Sequence, residues 1–482
     1  MREYSLALDG LRIFNSNRIY KQIIFALVPL FLIGLVFSFL TVEDSTQGFL
    51  FCLAIFSMVI VVLPMAIKKR FFLFEPIVFV SLSVLFGLCL KTFYVVFGFE
   101  SNRVVQFKLM DGLSLESMVW SSFVLFLGLM CFTCGYLIHD KPVRMRAMRI
   151  TELPSARLTV ISVVIVVISL VAFLVLVQNT LFSFNSLSDL SQKRFQFDGV
   201  DSGERLSNLN YYFYRVALIV KGPMYLLFYK LISERLRYMS VIGILFLLCL
   251  TLNLAIPFYI SNKAGLILPL ADLTIMYYII TGSVKWRTIF LFSIAVLALV
   301  SVVAAFRGGE AVAGYSLADK VFGGRYFIGV TKSAHIINAF PGQIEYFYGR
   351  SLVGWLNIFL PESLEFDNIY FAGLGQFLGS NIFGYQLSGV PPGIIPELFM
   401  NFGVVGVVIG MYLLGAFMVR AHVALLSRVQ NVRYLIFYAI VTVRVPTFLF
   451  NNGISVALLK VLADIIIVWL CLILVQKRFS RW

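Results

Sequence analysis

The sequence predicts an all-α polytopic membrane protein of about twelve transmembrane helices, with a large, partly helical outer-face segment between the ninth and tenth. Three observations carry that prediction. Of the 482 residues, 60% are apolar and 13% charged, against about 45–50% and about 25% in soluble domains. Apolar runs long enough to cross a bilayer recur along the whole chain. Lys and Arg alternate between dense and sparse from one short loop to the next. With 48 Phe and 22 Tyr, the apolar surface exceeds what a soluble core could hide. Disorder, collagen-like repeats and a disulfide-framed secreted domain are excluded on the same grounds.

The hydrocarbon core is about 30 Å thick, so a spanning helix needs roughly 20 apolar residues. Runs of that kind fall at 23–42, 49–67, 76–97, 118–138, 158–177 and 211–229. The second half supplies 240–259, 264–282, 286–305, 398–419, 434–450 and 453–475. The first run is full-length and a second follows within ten residues, the pattern of an anchor rather than a cleavable signal peptide. With the N-terminus inside, the inner segments carry 23 Lys and Arg and the short outer loops carry six. The positive-inside rule therefore places both termini in the cytoplasm. The net charge of +15 belongs mostly to that face, where it meets anionic lipid headgroups. Spread over seven loops, it does not read as a nucleic-acid surface. The Arg307-Gly308-Gly309 triplet occurs once and is no RNA-binding repeat.

Each of the six cysteines lies in an expected span. Cys131 and Cys134 have the C-x-x-C spacing of redox or zinc sites. In an apolar helix with no second Cys or His pair nearby they read as packing residues, and neither a disulfide nor a metal site is expected.

The chain reads as one membrane domain over residues 1–482, with no internal repeat. Its asymmetry is the segment 306–397, about 92 residues long and too extended to be structureless inside a compact protein. The stretches GRYFIGVTKSAHIINAF and EYFYGRSLVGWLNIFLP are aromatic and sparsely charged. They read as short helices lying on the membrane surface or capping a cavity. A second outer segment, 178–210, mixes both signs of charge and suits either a solvated loop or a substrate contact.

Five basic residues fall within spans: Lys91, Arg215, Lys221, Arg444 and Lys460. Glu75, Asp272 and Asp464 lie in spans or at their edges. A charge at the centre of a span costs at least about 2.5–3.5 kcal/mol, so it usually faces a cavity and serves function. In the topology above, Lys91, Arg215, Arg444 and Lys460 occupy the outer halves of their helices, and Lys221 is near the midplane. With Lys263, Arg307 and Arg325 from the outer loops they make a largely uncompensated basic cluster opening outward. Plainer readings stand beside this one. Lys460 and Asp464, four apart, can pair, and Lys91 and Arg215 can snorkel. Arg444 stands two residues before Pro446, and Lys221 precedes Gly222-Pro223. Broken helices at membrane depth are tolerated where protein or a wet cavity shields them, which favours function for both. An outward basic cavity suits an amphiphilic anion, since Arg forks match phosphate oxygens and Lys adds a point charge. A lipid pyrophosphate fits; by charge alone a phospholipid or an anionic solute fits as well.

Gly384-Tyr385-Gln386, followed by GVPPGIIPELFMNFGVVGVVIGMYLLG over 389–415, resembles the O-antigen (oligosaccharide repeat unit) polymerases of the Wzy type. That family enters a late span through a Gly/Pro-rich turn, an acidic residue and an N-F-G before a small-residue-rich helix. Physically, Gly389, Pro391, Pro392, Gly393 and Pro396 make a stiff turn. Gly403, Gly406 and Gly410 allow another helix to approach closely. The turn ISNKAGLILPL at 260–270, Arg307, Arg325 in GGRYFIG and FYGRSLVGWLNIFLPES are similar to the family's outer-loop layout. Lys263 stands where the family carries Arg, and Glu362 stands where a basic residue is expected. The resemblance covers roughly 240–460.

The resemblance implies a periplasmic-face glycosyltransferase of the bacterial inner membrane, acting on undecaprenyl-diphosphate-linked oligosaccharide among the membrane lipids. The growing chain is the donor and a single lipid-linked repeat unit the acceptor. It implies pyrophosphate binding by Lys221, Lys263, Arg325 and Arg444, with Arg215 and Arg307 as second choices. For the catalytic base it implies Glu397 or His335. Glu397 equally suits a helix-capping role, and His335 is the one His on the outer side. No metal or cofactor is expected, and a Wzz-type chain-length regulator is a conceivable partner. The rival expectations are an O-antigen-ligase-like enzyme with a lipid A-core acceptor and a transporter of a lipid-linked or anionic substrate.

Overall fold

The computed structural model describes residues 45–68, 72, 74–96, 113–141, 153–179, 209–259, 262–282, 329–353, 356, 374–383 and 390–476. Among the described residues the chain is helical, without strands, and ten helices are long and apolar enough to cross a membrane. They coincide with ten of the expected runs. The expected spans 23–42 and 286–305 lie outside the described residues.

The helices follow in order. α1 is Ser45–Ile67. α2 is Pro76–Val84, continuing through a π-helical turn at Leu85–Cys89 into Leu90–Val96. α3 is Leu115–Ile138 and α4 is Ser155–Asn179. α5 runs Leu209–Ala217, tightens to a 3₁₀ turn at Leu218–Val220 and resumes at Lys221–Ser233. α6 is Val241–Tyr259 and α7 is Lys263–Thr281. Two short helices, α8 (Val330–Ala339) and α9 (Leu374–Asn381), come from the long segment. α10 (Ile394–Leu426), α11 (Val432–Asn452) and α12 (Ile454–Gln476) complete the bundle.

Local chemistry sets the ends. Ser114 caps α3 through the Ser117 amide, Asn262 caps α7 through Gly265, and Asn431 caps α11 through Arg433. Each supplies an acceptor to an orphan first-turn N–H. Gly282 ends α7 in the left-handed region at φ 74°, the conformation glycine adopts without steric cost. α4 leaves Val160, Val164, Val167, Val171 and Leu174 exposed; a lipid-facing stripe has no need of a protein cover.

Among the described helices, α3 and α10 make the most extensive pairing. A Cβ on Gly135 would collide with the backbone of Tyr412, and one on Gly415 with the backbone of Phe132. Two reciprocal glycines thus bring the two backbones into contact, which is how membrane helices gain dispersion energy without a hydrophobic drive. At one end of the bundle Lys68 meets Glu75 at 2.5 Å and Asp140 at 3.1 Å, and Tyr136 donates to Glu75 at 2.9 Å. Tyr438 donates to the Phe74 carbonyl at 2.9 Å. This knot joins the ends of α1, α2 and α3 to α11, all at the end that the charge rule assigns to the cytoplasm. The described parts of the long segment sit at the opposite end: α8 packs on α3 and α10, and the turn at Arg350–Val353 touches α10 and α12. They cover the bundle end.

Candidate functional site

The 389–415 segment folds as a hairpin rather than one straight span. Helical geometry fails at Phe402 (φ −144°, ψ 16°) and Gly403 (φ 62°, ψ −153°). The second pair of angles belongs to a region open in practice only to glycine. The chain turns back there, so Leu398 in the first leg packs on Gly406 and Gly410 of the second. In a straight helix Leu398 and Gly410 would stand about 18 Å apart at 1.5 Å per residue. The close approach expected at Gly406 and Gly410 is therefore made by this chain's own preceding leg. The inter-helix approach uses Gly135 and Gly415 instead.

Two side chains of the first leg clamp the hairpin to its surroundings. Glu397 is fully buried. Its Oε2 accepts from the Ile454 amide at 2.5 Å and its Oε1 from the Ser351 hydroxyl at 3.3 Å. Ile454 is the first residue of α12, so Glu397 caps that helix from another one, with a carboxylate at the positive end of the dipole. Gly453 (φ 100°) presses so closely on this carboxylate that no Cβ fits. Asn401 donates from Nδ2 to Ser351 Oγ at 2.7 Å and to the Glu397 carbonyl at 2.7 Å. Its Oδ1 accepts the Gly349 amide at 2.8 Å. Ser455 returns a bond to the Ser351 carbonyl at 2.5 Å. The E and N-F-G of the motif thus tie the covering segment, the hairpin and the head of α12 into one node.

A second polar centre lies deeper. Arg444 is eight residues from the Asn452 end of α11, about 12 Å, and 2% exposed. Its Nε and Nη2 both donate to Asp272 Oδ2, at 3.1 and 2.6 Å. Nη2 also donates to the Tyr225 hydroxyl at 2.7 Å, and Nη1 pairs with Asp464 Oδ2. Tyr225 donates to Asp272 at 2.6 Å. Lys221 Nζ reaches the other Asp464 oxygen at 3.0 Å. Four helices, α5, α7, α11 and α12, each contribute a member. Lys221 opens the α-helical part of α5 after the 3₁₀ turn, which agrees with a broken helix there. α11 stays helical through Pro446, contrary to the expected break, with Thr447 donating to the Val443 carbonyl at 2.7 Å.

The structure brings Lys221 and Arg444, distant in sequence, onto one carboxylate, Asp464, but not as an uncompensated pair. Two cations face two carboxylates, because a buried charge in a medium of low dielectric needs a partner. The open valence of this centre is Asp272 Oδ1, buried with no hydrogen-bond partner among the described residues. Glu397 belongs to the separate node, ten residues along α12 from Asp464, about 15 Å. His335 lies on α8 with its ring 5.2 Å from that of Phe383. Arg215 is exposed, in the first part of α5. Lys263 opens α7. Arg307 and Arg325 lie outside the described residues.

Sequence reasoning named Asp272 and Asp464 as acids within spans but not as partners of Arg444. It missed Tyr225, although a Tyr one turn after Lys221 was the available signal. Ser351 and Lys332 were missed as well. Fold and ionic centre together define a polytopic helical membrane protein with a charge-paired polar core. Comparison of the chain with family models, curated proteins and solved structures finds no match.

Proposed function

We propose that this chain is a membrane glycosyltransferase that polymerises oligosaccharide repeat units carried on undecaprenyl diphosphate, at the periplasmic face of a bacterial inner membrane. The observation that carries the reading is the 389–415 segment. The residues that resemble the Wzy-type polymerases are also those that build the node, with Gly403 at the turn, Glu397 on α12 and Asn401 on the covering segment.

In the reaction, an acceptor hydroxyl forms a new C–O bond to the donor's anomeric carbon. The bond from that carbon to the lipid diphosphate breaks, the hydroxyl proton leaves, and the diphosphate carries away the electron pair. The leaving group is already activated, so no nucleotide sugar enters. The protein's task is to hold the hydroxyl in line and to neutralise charge growing on the diphosphate. Lys221 and Arg444 are assigned the second task, with Lys263, Arg325, Arg215 and Arg307 as further candidates. Glu397 or His335 is assigned proton removal; binding of substrate would have to free Glu397 from its cap and close the roughly 15 Å along α12 that separates its Ile454 contact from Asp464, the partner of Lys221 and Arg444.

A second reading, transport, is favoured by one observation: the Lys221–Asp464–Arg444–Asp272 centre is charge-neutral at mid-depth, as coupled-ion pathways are. Purified protein given a defined lipid-diphosphate oligosaccharide separates the readings. A ladder of chain lengths supports polymerisation, and transfer only to an added lipid A-core points to ligation. Movement across the bilayer without a new bond overturns both.

A further inference from the structure

At the end of the bundle opposite the Lys68–Glu75–Asp140 knot, the heads of α1 and α3 stand side by side. The two helices run parallel. Thr133 of α3 donates to the Ile60 carbonyl of α1 at 3.4 Å, and Lys68, just past α1, pairs with Asp140, just past α3, at 3.1 Å. Between the heads lies an open groove of about 540 Å³, lined by Thr46 and Phe49 of α1 and by Glu116, Val119, Trp120 and Phe123 of α3. That volume is within the range of small-molecule sites, about 300–1,000 Å³. Residues 116, 119, 120 and 123 share one face of α3 by helical spacing, as 46 and 49 do on α1.

The lining selects among ligands. The Trp120 and Phe123 rings stack at 6.1 Å with 25° between their planes; both residues are exposed, as is Phe49 on the facing helix. Phe123 braces the indole, so an aromatic surface of fixed orientation borders the groove. Its negative π-face attracts the polarised C–H bonds on the flat side of a sugar ring. Glu116, exposed one turn before Trp120, is the one charged residue among the described residues that line the groove. An ionised carboxylate only accepts hydrogen bonds, and it repels phosphate. Its complement is a neutral ligand with hydroxyl donors and an apolar side, which is a sugar. A cage for an ammonium ion turns several aromatic faces toward one point, whereas these two rings lie nearly parallel. A Trp that merely anchors its helix at headgroup level needs neither the paired ring nor the acid beside it.

We propose that this groove binds the glycan of the lipid-linked repeat unit, with Trp120, braced by Phe123, as the stacking surface and Glu116 as the acceptor for sugar hydroxyls. The ligand class rests on the glycosyltransferase reading above. The groove holds sugars and not the diphosphate, whose charge is matched by Lys221 and Arg444 instead. It lies at the covered end of the bundle, on the helix against which α8 packs.

The test uses the full chain in nanodiscs and, as probe, the lipid-free oligosaccharide released by mild acid from the lipid-linked repeat units of the cells that make this protein. Saturation-transfer NMR should show the oligosaccharide binding to the wild type. Trp120→Ala should weaken binding about tenfold, the worth of one aromatic contact, and Trp120→Phe should retain most of it. Glu116→Gln keeps a carbonyl acceptor and should weaken binding about threefold. A parallel titration uses ethanolamine. Ethanolamine binding that vanishes in Glu116→Gln, with no oligosaccharide binding, identifies an ammonium site and overturns the proposal. Product ladders from the same preparations judge the polymerase reading separately. Oligosaccharide binding that is lost in Trp120→Ala supports the groove whether or not a ladder forms. No binding to the wild type, or equal binding by wild type and Trp120→Ala, overturns the groove even where the ladder is normal.

Discussion

Replacing Glu397 separates its two candidate roles. In the structure its carboxylate accepts the Ile454 amide at 2.5 Å and the Ser351 hydroxyl at 3.3 Å, with no solvent contact. Glu397→Ala removes both acceptors. A charge-assisted bond is worth about 1.5–3 kcal/mol, and an orphaned buried N–H adds about 1–3 kcal/mol. The two figures overlap in what they count, so the loss should be about 2–4 kcal/mol. Glu397→Gln keeps one oxygen for the Ile454 amide but forfeits the charge at the helix terminus, a loss of about 1–2 kcal/mol. Equilibrium unfolding of the purified protein in detergent should rank wild type above Gln above Ala. Product ladders from the same preparations then report on chemistry. If Glu397 is also the base, the Gln variant folds but makes no polymer. Equal stability in all three proteins would refute the capping geometry, and a full ladder from Glu397→Gln would remove it from the chemistry.

Four further outcomes follow. Gly403→Ala should cost about 1–3 kcal/mol, because its backbone angles admit little but glycine and the new Cβ would stand 3.1 Å from Tyr346 Oη; unchanged unfolding would argue against the hairpin. Asp464→Asn leaves Lys221 and Arg444 short of a counter-charge and should cost about 3–5 kcal/mol, whereas adding Lys221→Met should recover part of it; additive losses would place the two residues in separate environments. Arg444→Ala at normal protein level should leave single repeat units unextended, and a wild-type ladder would discard its assignment. Lys332 has a pKa depressed by burial and then by Lys91, so the unfolded chain binds its proton more tightly. Stability should therefore rise with pH from the folded value up toward about 10.4, and Lys332→Met should flatten that rise; an identical pH profile would place Lys332 in solvent.

What was legible in the sequence divides along physical lines. Span positions follow from run length alone, because the bilayer sets the ruler; α1 through α7, α11 and α12 needed no tertiary information, whereas α10, expected as one straight span, is broken at Phe402 and Gly403. Lys221 and Arg444 announced themselves as charges inside apolar runs. Their partners did not, since Asp272 is 172 positions from Arg444 and Asp464 is 243 from Lys221, and nothing local couples such pairs. Glycine spacing at Gly406 and Gly410 signalled a smooth face but not what lies on it. The face is covered by Leu398 of the same helix, because Gly403 permits a reversal that no period reveals. Lys332 stayed hidden for the opposite reason. Between Thr331 and Ser333 a lysine gives no local sign of burial, and only the packing of α8 on α3 and α10 buries it.

The most direct measurement is cryo-electron microscopy of the protein in nanodiscs loaded with a lipid-diphosphate oligosaccharide. The account predicts diphosphate density inside the bundle within hydrogen-bond reach of Lys221 and Arg444, with at least one of the pairings to Asp464 and Asp272 opened to admit it. Intact pairings around an empty centre, with the lipid confined to the outer perimeter of the helices, would contradict it.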